Sequence, residues 1–353
     1  MEYIYMFLGC FIAAILLTPV VKKLAVNIGA VDKPNQRKVH QKIMPRLGGL
    51  AIYMAFLIGM LVSMPDSPYF WPILTGATII IITGVLDDMY ELSAKVKLLG
   101  QIAAASVVIS GGVYVEFINL PWDGVLQLGL LGVPLTLLWI VGITNAINLI
   151  DGLDGLAAGV SSIVLATITA IAIIDGNMFI IALASMLLAS TLGFLFYNFN
   201  PASIFMGDTG ALFLGYMISV VSLLGFKSVT LFSLLIPIVI LAVPISDTFF
   251  AIIRRLVHKQ PLSAPDKSHM HHCFLRMGYS HKKSVLVIYG ISAFFGLAAV
   301  VLTQSTLWGT VIITLVVLFA IELIAELVGL IHAEYRPVLN IIDRITGVRR
   351  TTP

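Results

Sequence analysis

The sequence predicts an all-α integral membrane protein of about eleven transmembrane helices, and three observations carry that prediction. Of 353 residues, 59% are hydrophobic and only 11% charged, with a mean hydropathy of +1.02. The apolar residues gather into runs near the roughly 20 residues that a helix needs to cross a bilayer. The basic residues fall into alternate connections between those runs, as the positive-inside rule requires. The runs lie at 3–21, 47–64, 70–86, 98–118, 125–147, 156–174, 178–197, 209–226, 229–253, 284–303 and 306–331. With the N-terminus outside, the inner connections and the tail hold every one of the 21 Lys and Arg residues except Lys227. The C-terminus is then cytoplasmic. The reading is one polytopic domain, 1–353, with a His-containing cytoplasmic loop at 254–283 and a cytoplasmic tail at 332–353.

Each element follows from local pattern. No cationic stretch precedes the first run, so it reads as a first transmembrane helix and not as a cleaved signal. Residues 65–68, 119–124, 175–177, 226–228 and 304–305 read as short outer turns. Pro237 and Pro244 predict a kink or break in the ninth helix. Glu322 and Glu326 share a face of the last helix, turned toward a partner, lipid headgroups or the bundle interior. Cys10 and Cys273 are too few for a disulfide framework and lack metal-type spacing. The basic residues are scattered over short loops, so no nucleic-acid footprint is present.

The polar clusters carry the chemistry, and all lie on the inner face. Between the fifth and sixth runs, Thr144-Asn145-Ala146-Ile147-Asn148 leads into Asp151-Gly152-Leu153-Asp154-Gly155. Two amides and two carboxylates there are costly unless they lie at a membrane surface or line a wet cavity; a polar turn is the plain alternative. Asp87 and Asp88 end the third run, where carboxylates oppose the helix dipole. They require compensation by a lysine, a metal or a proton, and Lys95 and Lys97 are nearest in sequence. The loop 198–210 is shaped by Pro201 and its glycines and places Asp208 at a helix start, where either Asp208 or Thr209 can act as N-cap. Phe205 alone fits an interfacial aromatic.

His269, His271 and His272 sit in the longest inner loop, near Lys267 and Arg276. A zinc site needs about four ligands at fixed spacing, which this loop does not supply. A cationic, hydrogen-bonding grip on phosphate fits better, beside a mobile polar loop as the plain reading. The first inner loop carries Lys33, Arg37, Lys38, Lys42 and Arg46, and attraction to anionic headgroups accounts for that charge. In sum, five carboxylates (Asp87, Asp88, Asp151, Asp154, Asp208) face a ring of Lys, Arg and His. Hard oxygen ligands suit Mg²⁺, which commonly binds one or two carboxylates plus substrate phosphates. Phosphoryl transfer needs such positioning and charge stabilisation. A secondary transporter is the rival class; it predicts charges near the bilayer midplane and inverted repeats, whereas these acids gather at helix ends.

The ordered set Leu86-Asp87-Asp88, Leu92 to Leu99, Asn145-Ala146-Ile147-Asn148 with Asp151-Gly152-Leu153-Asp154-Gly155, Phe205-Met206-Gly207-Asp208-Thr209-Gly210 and His269-Met270-His271-His272 resembles the polyprenyl-phosphate N-acetylhexosamine-1-phosphate transferases. Within that family it is most similar to the Gram-positive branch that opens wall teichoic acid linkage-unit synthesis. The resemblance implies transfer of N-acetylglucosamine 1-phosphate from UDP-N-acetylglucosamine to undecaprenyl phosphate, with release of UMP at the cytoplasmic face of the plasma membrane. It implies Mg²⁺, with Mn²⁺ as a substitute, held by Asp208 and Asn148. Asp154 would bond uracil and Phe205 would stack on it, with Asn200, in the loop of Phe205, among the binding residues. Asp151 would lie near the ribose and diphosphate. Asp87 and Asp88 would serve the lipid phosphate, one of them taking its proton, with Lys97 ahead of Lys95 in neutralising charge. His271, His272 and Arg276, with His269 beside them, would contact the diphosphate or the sugar. Direct attack and prior phosphorylation of an aspartate both remain open. His-Met-His-His departs from the three-histidine run of the UDP-N-acetylmuramoyl-pentapeptide enzymes, which favours a UDP-N-acetylglucosamine-type donor over the muramoyl or another HexNAc nucleotide. A homodimer is a family expectation.

Overall fold

A computed structural model describes residues 2–32, 43–119, 124–225, 235–261, 266, 268–330 and 336–346. The chain is a helical bundle. Helices α1 (Glu2–Ile28), α2 (Gly48–Ser63), α3 (Phe70–Tyr90), α4 (Ala94–Ser110), α5 (Gly132–Ile150), α6 (Leu156–Asp175), α7 (Met178–Asn198) and α8 (Gly207–Gly225) follow one another in alternating direction. Then come α9 (Leu235–Ile240), α10 (Ala242–Val257), α11 (Met270–Arg276), α12 (His281–Thr303), α13 (Leu307–Val328) and α14 (Pro337–Thr346). Among the described residues, eight helices are long and apolar enough to cross a membrane: α1, α3, α5 with its leading turn, α6, α7, α8, α12 and α13. α2, α4 and the α9–α10 pair are shorter, so among the described residues each of the eleven apolar runs contains helix. The chain is an all-α integral membrane protein. α8 is the most enclosed of the eight spans.

Several boundaries differ from the sequence expectation, for local reasons. The run 98–118 is helical only to Ser110, because Gly111 and Gly112 end α4 and Gly112 adopts φ +88°. Beyond it, β3 (Phe117–Asn119) pairs antiparallel with β4 (Val125–Gln127), so the start of the next run is a hairpin strand and α5 begins only at Gly132. The residues between these strands, 120–123, lie outside the described residues, as do 226–234 with Lys227. The ninth helix breaks at Leu241 between α9 and α10, in the Pro237–Pro244 interval where a break was expected. The inner loop 254–283 is in part helical: α10 runs on to Val257 and α11 carries the histidines. The tail holds α14, and Glu326 settles its own role there. Its side chain is buried, and its two carboxylate oxygens accept the backbone N–H groups of Val338 and Leu339 at 2.8 Å each, capping α14.

Small residues set the packing that matters for function. A side chain on Gly49 of α2 would meet the backbone N of Gly210 at 2.0 Å, and one on Gly84 of α3 would meet the Cα of Thr209 at 2.4 Å. Two helices therefore touch the first turn of α8 backbone to backbone, as glycine allows in a membrane bundle. The segment before α2 is fixed to the same place. Phe205 N–H donates to Pro45 O at 2.8 Å, Gly48 N–H to Phe205 O at 3.0 Å and Gly49 N–H to Met206 O at 2.9 Å. β1 (Val31–Asp32) and β2 (Met44–Pro45) close this corner as an antiparallel pair. The intervening residues 33–42, with Lys33, Arg37, Lys38 and Lys42, lie outside the described residues.

Substituting Gly84→Val should overpack the α3–α8 contact, at a cost of about 1–3 kcal/mol. Thermal unfolding in detergent should show a melting temperature several degrees lower. An unchanged melting temperature would mean that the contact yields freely.

Candidate active site

The site lies at one end of the bundle, where α1, α3, α5 and α7 end and α2, α4, α6, α8 and α12 begin. Its centre is the first turn of α8. Asp88, from the last turn of α3, accepts the backbone N–H groups of Asp208 and Thr209 at 3.0 Å each and the Thr209 hydroxyl at 2.6 Å. The start of α8 is thus capped from another helix, not by Asp208 or Thr209 themselves. Caps of this kind are worth about 0.5–2 kcal/mol. Arg46 Nε donates to Asp88 Oδ1 at 3.1 Å, and its guanidinium lies 3.6 Å from Asp208 Oδ1. Lys97 Nζ donates to Asp208 Oδ2 at 2.8 Å and to Asp87 Oδ2 at 3.2 Å. Lys95, two residues earlier, is exposed and takes no part, since residues two apart on a helix do not face the same way. Three carboxylates here face two cations.

Arg46 corrects the headgroup reading of the first inner loop. Burial works against its charge, but Asp88 and Asp208 outweigh that and hold the guanidinium above its ordinary value. The signal was in the sequence: the Gly48-Gly49 pair after Arg46 marks a close backbone approach.

Beside this cluster opens a cavity of about 540 Å³, lined by Arg46, Asp208 and Phe205 on one side and by Asp151, Gly152 and Asp154 on another. His272 and His281 also line it. Asp151 follows the last turn of α5. Burial, and then the charges of Asp208 and Asp88, push its carboxyl up to about 8. Asp154 Oδ2 accepts Asn200 Nδ2 and Ala202 N–H at 3.0 Å each, so Asn200 holds the 198–210 loop to Asp154. Asn198 ties the same loop to α6, its Oδ1 accepting Gly155 N–H at 3.1 Å. Of the two amides on α5, Asn145 clasps Gln101 of α4 at 2.7 Å. Asn148 stands on the last turn, half-buried, with no hydrogen bond to Asp208 among the described residues.

The histidines are ordered by a residue that sequence reasoning passed over. Asp247, fully buried within α10, takes His269 Nδ1 at 2.8 Å and Met270 N–H at 2.7 Å. A carboxylate inside an apolar run was the available signal. Arg254 clamps the neighbouring Asp266 with Nε at 3.2 Å and Nη2 at 2.6 Å. With α11 so held, His271 packs on Gly152, where any Cβ would lie 2.2 Å from its Nε2, and its ring centre is 4.1 Å from that of His272. Burial, followed by the neighbouring His272, brings His271 down to about 3; burial lowers His272 as well. His271 is therefore a neutral hydrogen-bonding group at pH 7, not a cationic one. Arg276 is exposed, donates to Cys273 Sγ at 2.9 Å and does not line the cavity. Lys267 lies outside the described residues. Among the described residues, no three His, Cys, Asp or Glu side chains are arranged to hold a metal by themselves.

A family model described as glycosyl transferase family 4 matches residues 70–226, the stretch from α3 to the end of α8. The chain is 52% identical over 342 residues, 96% of each chain, to a Bacillus subtilis protein named as a probable undecaprenyl-phosphate N-acetylglucosaminyl 1-phosphate transferase. It is 37% identical to a decaprenyl-phosphate N-acetylglucosaminephosphotransferase of Mycolicibacterium smegmatis, over 78% of this chain and 76% of that one. It is 30% identical to the undecaprenyl-phosphate alpha-N-acetylglucosaminyl 1-phosphate transferase of Escherichia coli K12, over 76% and 75%. With its acids, amides and histidines assembled at one end of a membrane bundle, the chain belongs to the polyprenyl-phosphate N-acetylglucosamine-1-phosphate transferases of glycosyl transferase family 4.

Proposed function

We propose that this protein transfers N-acetylglucosamine 1-phosphate from UDP-N-acetylglucosamine to undecaprenyl phosphate at the cytoplasmic face of the plasma membrane, as the opening step of wall teichoic acid synthesis. The observation that carries the reading is the meeting of Asp87 and Asp208 on one ammonium, Lys97, beside a cavity lined by Arg46, Asp151 and Asp154. In the reaction an oxygen of the lipid phosphate ends bonded to the phosphorus that bears the sugar, by direct attack or after prior transfer of that phosphorus to an aspartate. The bond from that phosphorus to the bridging oxygen breaks, and UMP leaves with the electron pair. The donor and the teichoic acid role rest on the similarity to the Bacillus subtilis protein and on the His-Met-His-His pattern. The cytoplasmic placement rests on the distribution of Lys and Arg.

The donor set fits Mg²⁺, or Mn²⁺ in its place. Two hard carboxylates already converge on a cation, the Lys97 ammonium, and the cluster holds one more acid than it has cations. Mg²⁺ prefers one or two carboxylates completed by substrate phosphates and water, so Asp208 and Asp87 would hold it, with Asn148 as a further candidate. The ion would supply charge stabilisation for the transferring phosphoryl group. The protein's own residues do the rest. Lys97 and Arg46 offset phosphate charge and orient the two substrates. Asp88 keeps the α8 terminus in place. Asp154, fixed by its loop bonds, presents a carboxylate to uracil, and Phe205 offers a stacking face. His272 offers a hydrogen bond along the same cavity, with His271 packed on Gly152 beside it.

Purified protein in detergent with undecaprenyl phosphate and Mg²⁺ should release UMP from UDP-N-acetylglucosamine, and chelation should stop it. Release from UDP-N-acetylmuramoyl-pentapeptide instead would move the protein to another branch of the family. Asp208→Asn should abolish turnover while UDP still binds, because an amide is a poor Mg²⁺ ligand; wild-type rates would remove Asp208 from the metal role. Asp154→Ala should raise KM for the UDP-sugar about ten-fold or more, the scale of one charged hydrogen bond. Unchanged nucleotide affinity in that variant would make the uracil assignment wrong.

A further inference from the structure

Resting on the reading above, we infer that His281 is a donor-sugar contact: its imidazole Nε2 is held for a hydroxyl or acetamido group of the hexosamine. His281 is the first residue of α12 and lines the same cavity as Asp151, Asp154 and His272. Its Nε2 is shielded from solvent and, among the described residues, has no hydrogen-bond partner. A shielded, unpartnered polar nitrogen is costly, and one on a cavity-lining residue is satisfied when a ligand with complementary polar groups enters. The ring is presented by a rigid element. Ser280 caps α12 through Lys283 N–H at 3.3 Å, and Tyr289 on the same helix donates its hydroxyl to Gly155 O.

The chemistry of this wall selects the sugar over the phosphates. The cations that suit a diphosphate, Arg46 and Lys97, stand with Asp208 on the α2, α4 and α8 side. The cations next to His281 turn to aromatic rings instead: Lys282 lies 5.8 Å over Phe199 and Lys283 lies 4.3 Å over Tyr279. The other imidazole lining the cavity, His272, is disfavoured as a cation by burial, as is His271, which packs on Gly152 beside it. Imidazole rings on this wall offer hydrogen bonds that match sugar hydroxyls and an amide.

The experiment compares wild type, His281→Ala and the bulk-preserving His281→Phe by calorimetric binding of UDP, UDP-glucose and UDP-N-acetylglucosamine, with melting temperatures as a check on folding. Both variants should bind UDP within two-fold of wild type and UDP-N-acetylglucosamine roughly ten-fold more weakly. An equal loss for UDP-glucose assigns the contact to a hydroxyl; a loss confined to UDP-N-acetylglucosamine assigns it to the acetamido group. Equal weakening of UDP and the UDP-sugars, or no weakening in a folded variant, would overturn the inference alone. Wild-type protein that gains nothing from the sugar over UDP would overturn the donor reading and the inference with it.

Discussion

The anchoring of the α8 terminus by Asp88 is the interaction on which the site depends. A helix start leaves backbone N–H groups without intrahelical partners, and here a carboxylate from α3 takes two of them. That bond is possible only because Gly49 and Gly84 let α2 and α3 approach the α8 backbone without an intervening side chain. Once α8 begins there, Asp208 is delivered beside Lys97 and Arg46, and Asp87 follows from being the residue before Asp88. One cap therefore determines where three acids and two cations meet. Buried charges are tolerable only when paired and hydrogen-bonded, and this arrangement meets that condition while keeping the carboxylates at a cavity edge.

The second half of the site is built on a different principle. Asp151, Gly152 and Asp154 lie on a short connection between α5 and α6, which has little rigidity of its own. Rigidity comes from neighbours: Asn200 and Ala202 fasten Asp154, Asn198 fastens Gly155, and Tyr289 reaches Gly155 from α12. The histidine helix is held the same way by Asp247 from α10. Asp154 and the histidine helix thus have partners behind them, which is how a loop-borne site keeps a defined geometry.

Much of the fold was legible because the bilayer imposes a one-dimensional rule. Long apolar runs become helices, and prolines such as Pro237 and Pro244 break them. The hairpin at β3 and β4 was not legible, since Phe117 to Asn119 and Val125 to Gln127 continue the apolar pattern of their neighbours. The acids and amides of the site were legible because polar residues stand out in so apolar a chain. Arg46 was visible too but was weighed by local context, as part of a basic loop, and Asp247 was passed over, although a carboxylate within an apolar run was there to be read. His281 had no pattern around it, and only the cavity gives it meaning.

The sequence by itself determined the class of protein, the number of apolar runs and most of the polar clusters from which a site can be built, because hydropathy and side-chain chemistry are properties of the chain. Which residues meet was decided by tertiary structure alone. Asp88 became a cap and Asp87 a partner of Lys97 through contacts more than a hundred residues apart in the case of Asp88 with Thr209. Lys95 was left exposed while Lys97 was drawn in, though both sit in the first turns of one helix. The reason is geometric: a helix turns about 100° per residue, so packing against α3 and α8 admits one lysine and excludes the other.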